Sequence, residues 1–313
     1  MRLLIASSIY PPKVEELKQK HDVICAYNGS EDVLKNAITN RQVLIFRSGV
    51  QISAAVMEAG PELELLIRAG SGTDNIDMDY VQQRGLKLIR VPEPGAKAVA
   101  EMSFTMMLML ARNLRKADTW LREGKWGKTE LTGYLLTGKT LGVIGCGNIG
   151  SRVGWMGAAW DMKAIGCVDE SDKNADYVSY CAAKGIRLTS FDEVLETADF
   201  ISIHVPLMDS TRGLIGAKEI AKMKKGSYLV NLARGGVVDE DALYDALVSG
   251  HLRGAGTDVH MNEGKNFRSR LTALENVVLT PHIGAQTFDS QMEIGERITQ
   301  ILHEHITEKS SVL

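Results

Sequence analysis

The sequence predicts an α/β fold of two doubly wound parallel-sheet domains, one inserted within the other. Three observations predict it. Short apolar and β-branched runs alternate with helix-like segments along nearly the whole chain, the pattern of parallel strands joined by crossover helices. A glycine turn at Gly145 to Gly150 sits between one such run and a helix-like segment. At 313 residues the chain also exceeds the size at which a single hydrophobic core usually stops growing, so two cores are expected.

In the first part, Leu3 to Ala6, Val23 to Ala26, Val43 to Phe46, Leu65 to Ile67 and Leu86 to Ile89 read as strands. Loops at the carboxyl ends of parallel strands are where open sheets bind ligands. Two of them carry suitable chemistry: Phe46-Arg47-Ser48-Gly49 and the run from Arg68 to Asn75. Arg47 with Ser48, and Arg68, can clamp an anion, and Ser71-Gly72 can offer backbone N–H groups to a carboxylate. Solvated arginines and a plain glycine turn are the alternative.

Pro92, Pro94 and Gly95 punctuate the chain, and a long helix is expected from Val99 through Ala111. Its methionines read as packing. The boundary is placed there, with residues 1–99 and 288–313 as a discontinuous substrate-binding domain and 100–287 as the inserted domain. Between Asn113 and Gly138 the periodicity weakens, and Trp120, Trp126 and Tyr134 read as an arm on a partner subunit.

The inserted segment opens on Thr140 to Ile144, a buried-strand run, and then G-C-G-N-I-G. Gly145 permits the tight turn, Gly147 lets the backbone approach a pyrophosphate, and Gly150 allows close helix-to-strand packing, with the helix N-terminus facing the anion. Lys163 to Val168 is the next strand, and Asp169 follows Gly150 by 19 residues, where an acid reaches a ribose 2′-hydroxyl. The context makes this an NAD-binding Rossmann domain. NAD is favoured over NADP because Asp169 repels a 2′-phosphate and Glu170-Ser171-Asp172 supplies no arginine, Lys173 being the nearest cation.

Further strands are expected near Ile186 to Leu188, Phe200 to Ile203, Tyr228 to Asn231, Gly254 to Thr257 and Val277 to Leu279, with a helix over Asp239 to Ser249. The last run, Phe288 to Glu308, reads as a helix with Ile294, Ile298, Ile301 and Leu302 on one face. It returns the chain to the first domain, which is expected to be flavodoxin-like.

Composition excludes several function classes. Lys plus Arg is 36 against Asp plus Glu 39, and a net charge of −3 gives no global attraction to nucleic acid or an anionic membrane. Met102 to Ala111 is too short to span a bilayer and carries Thr105. The N-terminus lacks a signal-peptide pattern. Cys25, Cys146, Cys167 and Cys181 are scattered without C-x-x-C spacing, which suits buried thiols in a reducing cytoplasm and no metal site.

Three clusters follow strands of the inserted domain: Asn231 to Gly236, Thr257 to Glu263 and Thr280 to Ala285. An arginine such as Arg234 can hold a keto or hydroxy carboxylate by paired hydrogen bonds. A histidine beside a carboxylate such as Glu263 can exchange a hydroxyl proton near neutral pH. His204, His260 and His282 are all candidates; the alternative is that Arg234 is structural, Glu263 a loop charge, and His260 and His204 satisfied loop or strand-end histidines.

The motifs R-S-G at Arg47, R-A-G-S-G-T-D-N-I-D from Arg68, V-A-E at Val99, the glycine turn, N-L-A-R-G-G-V-V-D-E from Asn231 and T-P-H-I-G-A from Thr280 together resemble the D-isomer-specific 2-hydroxyacid dehydrogenases, and most of all their phosphoglycerate-oxidising branch. The likeness covers nearly the whole chain. It implies Arg234 as the substrate-orienting arginine, His282 as acid/base and Glu263 as its partner. It implies NAD contacts from Asn148, Ile149, Asp169, Val205, Leu232, Ala233, Asp258, Gly284 and Ser71, with His282, Arg234 and the three glycines, while Ser71 and Gly72 stay substrate candidates through their backbone N–H groups. It also implies a homodimer formed through the NAD-binding domain. The family pattern D-V-F-x-x-E-P meets His260 and Gly264 here, so a more mobile Glu263 loop is expected, and Gly95 replaces an asparagine. With the sequence ending at Leu313, a short form without a regulatory domain is expected.

The resulting expectation is an NAD-dependent oxidoreductase interconverting a D-2-hydroxy acid and its 2-keto acid, either 3-phosphoglycerate or another acid with a second anionic group. The alternatives are a hydroxypyruvate or glyoxylate reductase and, from another class, an NAD(H)-sensing corepressor-like binding protein.

Overall fold

The computed structural model describes residues 1–169 and 173–310. Glu170, Ser171 and Asp172, which entered the cofactor argument, lie outside the described residues. The chain divides into two compact units, Met1–Gly95 with Gln286–Leu313, and Ala96–Ala285.

The first unit carries five strands, β1 (Arg2–Ile5), β2 (Asp22–Cys25), β3 (Val43–Phe46), β4 (Leu65–Arg68) and β5 (Lys87–Arg90). All pair in parallel, in the order β2-β1-β3-β4-β5, which is the flavodoxin-like order. Alternation along each strand splits its side chains between two cores. Leu3 and Ile5 face one that includes Val14, Leu17, Ile294, Ile298, Ile301 and Leu302, whereas Leu4 faces another with Leu34, Ile38 and Val56. The helix Phe288–Ser310 therefore completes the first core from the far end of the chain.

The second unit carries seven strands, β6 (Thr140–Ile144), β7 (Lys163–Cys167), β8 (Arg187–Leu188), β9 (Phe200–Ile203), β10 (Tyr228–Asn231), β11 (Gly254–Thr257) and β12 (Val277–Leu279). Their order is β12-β11-β10-β9-β6-β7-β8, again all parallel. The chain winds outward from β6 to β8, returns to β9 on the other side of β6 and continues to β12. This is a Rossmann sheet with its direction change between β6 and β9.

Three sequence expectations need correction. The long helix runs Glu93–Ala111, six residues earlier than Val99, because a proline in the first helical turn gives up no intrahelical hydrogen bond. The stretch after Asn113 contains a helix, Leu114–Arg122, that the weak periodicity concealed. Cys25 is exposed at the edge strand β2, while the other three cysteines are buried. Among the described residues, no helix is long and apolar enough to cross a membrane.

Candidate active site

The glycine turn leaves β6 at the sheet's direction change. Gly145 has φ +89°, and a Cβ there would lie 2.8 Å from Val205 Cγ1 and 2.9 Å from the His204 carbonyl oxygen. At Gly150 a Cβ would fall 1.9 Å from the Gly145 carbonyl oxygen, so the helix Gly150–Ala159 can start this close to β6 only without a side chain. Gly147 is the opposite case: a Cβ there meets nothing within 4 Å, so its backbone is open to a ligand. The helix has no side-chain cap, which leaves its leading N–H groups suited to an anion. Asn148 and Ile149 lie within this turn.

A cavity of about 750 Å³ opens at this point, lined by residues that include Gly145, Gly147, Asp169, Tyr177 and Val205. Its size, the open face at Gly147, the uncapped helix and the acid at the end of β7 fit a dinucleotide. Tyr177 was not foreseen. Its hydroxyl donates to the Cys146 carbonyl at 2.7 Å and so braces the glycine turn from the helix Ala175–Ala183, a contact with no signature in local sequence. His204 lies at the same cavity. Burial pushes its imidazole down to about 3, its Nε2 pairs with Ser202 Oγ at 2.7 Å, and it is a neutral strand-end residue.

The three chemistry-bearing loops follow β10, β11 and β12, which are neighbours in the sheet. Asn231 shapes the first: its Oδ1 accepts from the Ala233 N–H at 3.0 Å and its Nδ2 donates to the Arg234 carbonyl at 3.2 Å. This turns Leu232 and Ala233 inward and leaves Arg234 half-buried, with Nη1 donating to the Ala233 carbonyl at 2.8 Å.

Asp258 anchors the third loop from the second. Its carboxylate accepts from Thr280 Oγ1 at 2.6 Å and from the N–H groups of Ile283 and Gly284 at 2.8 and 2.7 Å. A Cβ on Gly284 would lie 2.8 Å from Asp258 Oδ2, so this turn also requires glycine. His282 sits in the turn with φ +54°, and its Nδ1 lies 2.7 Å from Glu263 Oε2. Because a carboxylate only accepts, Nδ1 carries the hydrogen and Nε2 is left to exchange a proton. Burial alone pushes the Glu263 carboxyl up, but the hydrogen bond and charge of His282, with the His260 N–H, more than offset it and hold it below the usual range. Of the three candidate histidines, His282 is the one paired with a carboxylate.

In the first unit, Arg47 and Arg68 leave the adjacent strands β3 and β4. The sheet changes direction between β1 and β3, and there the Arg47 N–H donates to Ser7 Oγ at 2.9 Å. The Arg47 guanidinium donates to the neutral Oε1 of Gln286 at 3.2 Å, a partner 239 residues away. Arg68, expected beside it as an anion clamp, is instead buried. Its Nε donates to the Gly72 carbonyl at 2.9 Å and its Nη1 to that of Ala69 at 3.4 Å, so it folds the Ser71-Gly72 loop. Ser48 is exposed beside Arg47. Among the described residues, no group of three or more His, Cys, Asp or Glu could hold a metal ion.

Residues 104–284 match the NAD-binding domain of the D-isomer specific 2-hydroxyacid dehydrogenases. The chain belongs to that family. It is similar to a hydroxypyruvate reductase of Thermotoga maritima, 42% identical over 86% of each chain. It is 36% identical to a D-3-phosphoglycerate dehydrogenase of Methanocaldococcus jannaschii, covering 98% of this chain but 59% of the relative. The D-lactate dehydrogenase of Aquifex aeolicus, solved with NAD and lactic acid, superposes with a TM-score of 0.87 at 29% identity, covering 99% of this chain and 96% of that one. Like its family, the chain is an NAD-dependent oxidoreductase that acts on the CH–OH group of a D-2-hydroxy acid. The corepressor-like alternative gives way to an enzyme.

Proposed function

We propose that Arg234, Glu263 and His282 carry the reaction, and that the substrate is a D-2-hydroxy acid with a second anionic group, 3-phosphoglycerate being the type. The observation that carries the catalytic assignment is the 2.7 Å bond from His282 Nδ1 to Glu263, at strand ends adjacent to the arginine loop. In this reading Arg234 orients the carboxylate of the substrate through its guanidinium fork. His282 gives its Nε2 proton to the carbonyl oxygen during reduction and takes it back during oxidation, while Glu263 fixes the ring and stabilises its cation. Bound NAD supplies the hydride acceptor, and as NADH the donor. The turn from Gly145 through Asn148, Ile149 and Gly150 holds its pyrophosphate, Asp169 its ribose, and Val205, Leu232, Ala233, Asp258 and Gly284 the rest of the pocket.

Arg47 supports the second anionic group. Burial lowers its proton affinity, its side chain is matched among the described residues to a neutral amide oxygen, and an arriving phosphate or carboxylate would compensate that charge. Ser48 and the backbone of Ser71 and Gly72, held by Arg68, are its proposed neighbours at the substrate. A second reading, reduction of hydroxypyruvate, is favoured by the name of the Thermotoga relative. The chain spans 48% and 59% of two phosphoglycerate dehydrogenases it matches.

We place the enzyme in the cytoplasm, in keeping with its free cysteines, and as a homodimer through the second unit, where Trp126 and Leu135 are 80% and 68% exposed. Steady-state reduction of phosphohydroxypyruvate, hydroxypyruvate, glyoxylate and pyruvate by NADH tests the substrate. The highest kcat/KM should fall on phosphohydroxypyruvate or another dianionic acid, and a preference for glyoxylate or pyruvate would overturn this reading.

A further inference from the structure

His260 touches all three loops that carry the reacting side chains. Its peptide N–H donates to Glu263 Oε1 at 3.2 Å. Its ring Nε2 lies 2.9 Å from the carbonyl oxygen of Thr280, two residues before His282. Its own carbonyl packs on Gly235, where a Cβ would come within 1.9 Å, directly after Arg234. The residue is 7% exposed, and its ring tilts against Phe267 with centroids 4.5 Å apart.

The chemistry of these contacts fixes what the ring contributes. A carbonyl oxygen can only accept, so Nε2 carries the hydrogen, and Nδ1 is left buried with no hydrogen-bond partner among the described residues. Burying an unmatched acceptor is unfavourable, whereas a phenyl ring would fill the same space with no such cost. What histidine adds over an apolar ring is therefore the single N–H···O=C bond. That bond ties the Glu263 loop to the segment bearing His282. On its other side the acid is followed by Gly264 at φ +116°, which has no side chain to anchor anything. The restraint on Glu263 thus comes from the His260 side.

We propose that His260 is a positioning residue of the proton relay: by holding Thr280 against the Glu263 loop it maintains the Glu263–His282 hydrogen bond. This rests on the assignment of Glu263 and His282 made above. No proton transfer is assigned to His260 itself. Among the described residues, the other ionisable groups around His282 are Glu263 and Lys265, which share a cavity of about 570 Å³ with it, and Asp258, whose carboxylate is bonded to the two amides that follow His282.

The test uses the full chain labelled with nitrogen-15 at its 7 histidines, together with His260→Phe, which keeps a ring, and His260→Gln, which keeps a donor near the Nε2 position. Proton–nitrogen correlation spectra read the His260 tautomer and the titration midpoint of His282 without any turnover, and steady-state kinetics with NADH run in parallel. Wild type should show the Nε2–H tautomer. In His260→Phe the His282 midpoint should fall by roughly half a pH unit or more and kcat by about fivefold or more, with KM for NADH within about twofold. His260→Gln should recover most of both losses. An Nδ1–H tautomer in wild type, an unmoved midpoint in the Phe variant, or a Gln variant no better than Phe would each overturn the proposal. Failure of wild type to reduce any 2-keto acid would instead defeat the catalytic assignment, while the spectra would still decide whether His260 positions the pair.

Discussion

The two oxygens of Glu263 are divided between two histidines: Oε2 pairs with Nδ1 of His282 at 2.7 Å, and Oε1 accepts from the backbone of His260 at 3.2 Å. The carboxyl is held below its usual range although burial pushes it the other way. In the proposed relay, reduction of a keto acid needs the protonated ring of His282, so its rate should fall at alkaline pH.

Glu263→Gln removes the negative charge. The alkaline limb of kcat/KM for keto-acid reduction should then move to lower pH by about one unit. Oxidation of the hydroxy acid needs the neutral ring, so its acidic limb should move the same way. A pH profile measured in both directions checks this, and an unshifted profile would separate Glu263 from the proton relay.

Arg47→Ala should lower kcat/KM for a dianionic keto acid by at least roughly tenfold, since losing one charged partner from a desolvated contact costs about 2–5 kcal/mol. Glyoxylate and pyruvate should be almost untouched. Equal losses on all substrates would make Arg47 a structural residue.

Asp169 lies exposed at the end of β7 beside the cofactor cavity. Wild type should use NADH in preference to NADPH, and Asp169→Ala should narrow the ratio of the two kcat/KM values by about tenfold, the equivalent of one ~1.4 kcal/mol repulsion. A wild type that uses NADPH equally well would remove the premise.

The two glycines of the turn should fail differently. A methyl group at Gly150 collides with backbone, so Gly150→Ala should cost about 1–3 kcal/mol in thermal unfolding of the apo chain. Gly147→Ala meets no protein atom, so its stability should stay within about 0.5 kcal/mol of wild type while NADH affinity by fluorescence titration falls. Unchanged NADH affinity at Gly147 would show that no ligand approaches there.

Much of this architecture was legible because the relevant signals are local. Each strand is a contiguous apolar run, and the spacing from Gly145 to Asp169 lies within one βαβ unit. The misread helix start at Glu93 has a local cause as well, since Pro94 and Gly95 look like chain punctuation yet suit a first helical turn. Three features had no local signal. Gln286 reaches Arg47 only after the fold has formed, Tyr177 acts on a turn 31 residues before it, and Arg68 looks like an anion contact until its loop folds back over it. The motif resemblance singled out His282 from His204 and His260, which also follow strands, but its 2.7 Å contact with Glu263 could be seen only in the fold.

The core shared by Leu3, Ile5, Val14 and Leu17 with Ile294, Ile298, Ile301 and Leu302 sets an order of events at the ribosome. The first segment emerges with one of its two cores lacking the four side chains of the last helix. It must wait while everything from Ala96 to Ala285 is synthesised, which takes about ten to forty seconds at ordinary elongation rates. During that interval its apolar face is a target for chaperones and for neighbouring nascent chains. A nonsense mutation as late as Gln291 would leave the whole second unit intact and still orphan the first, so the damage from late truncation should appear as aggregation and proteolysis of the N-terminal segment.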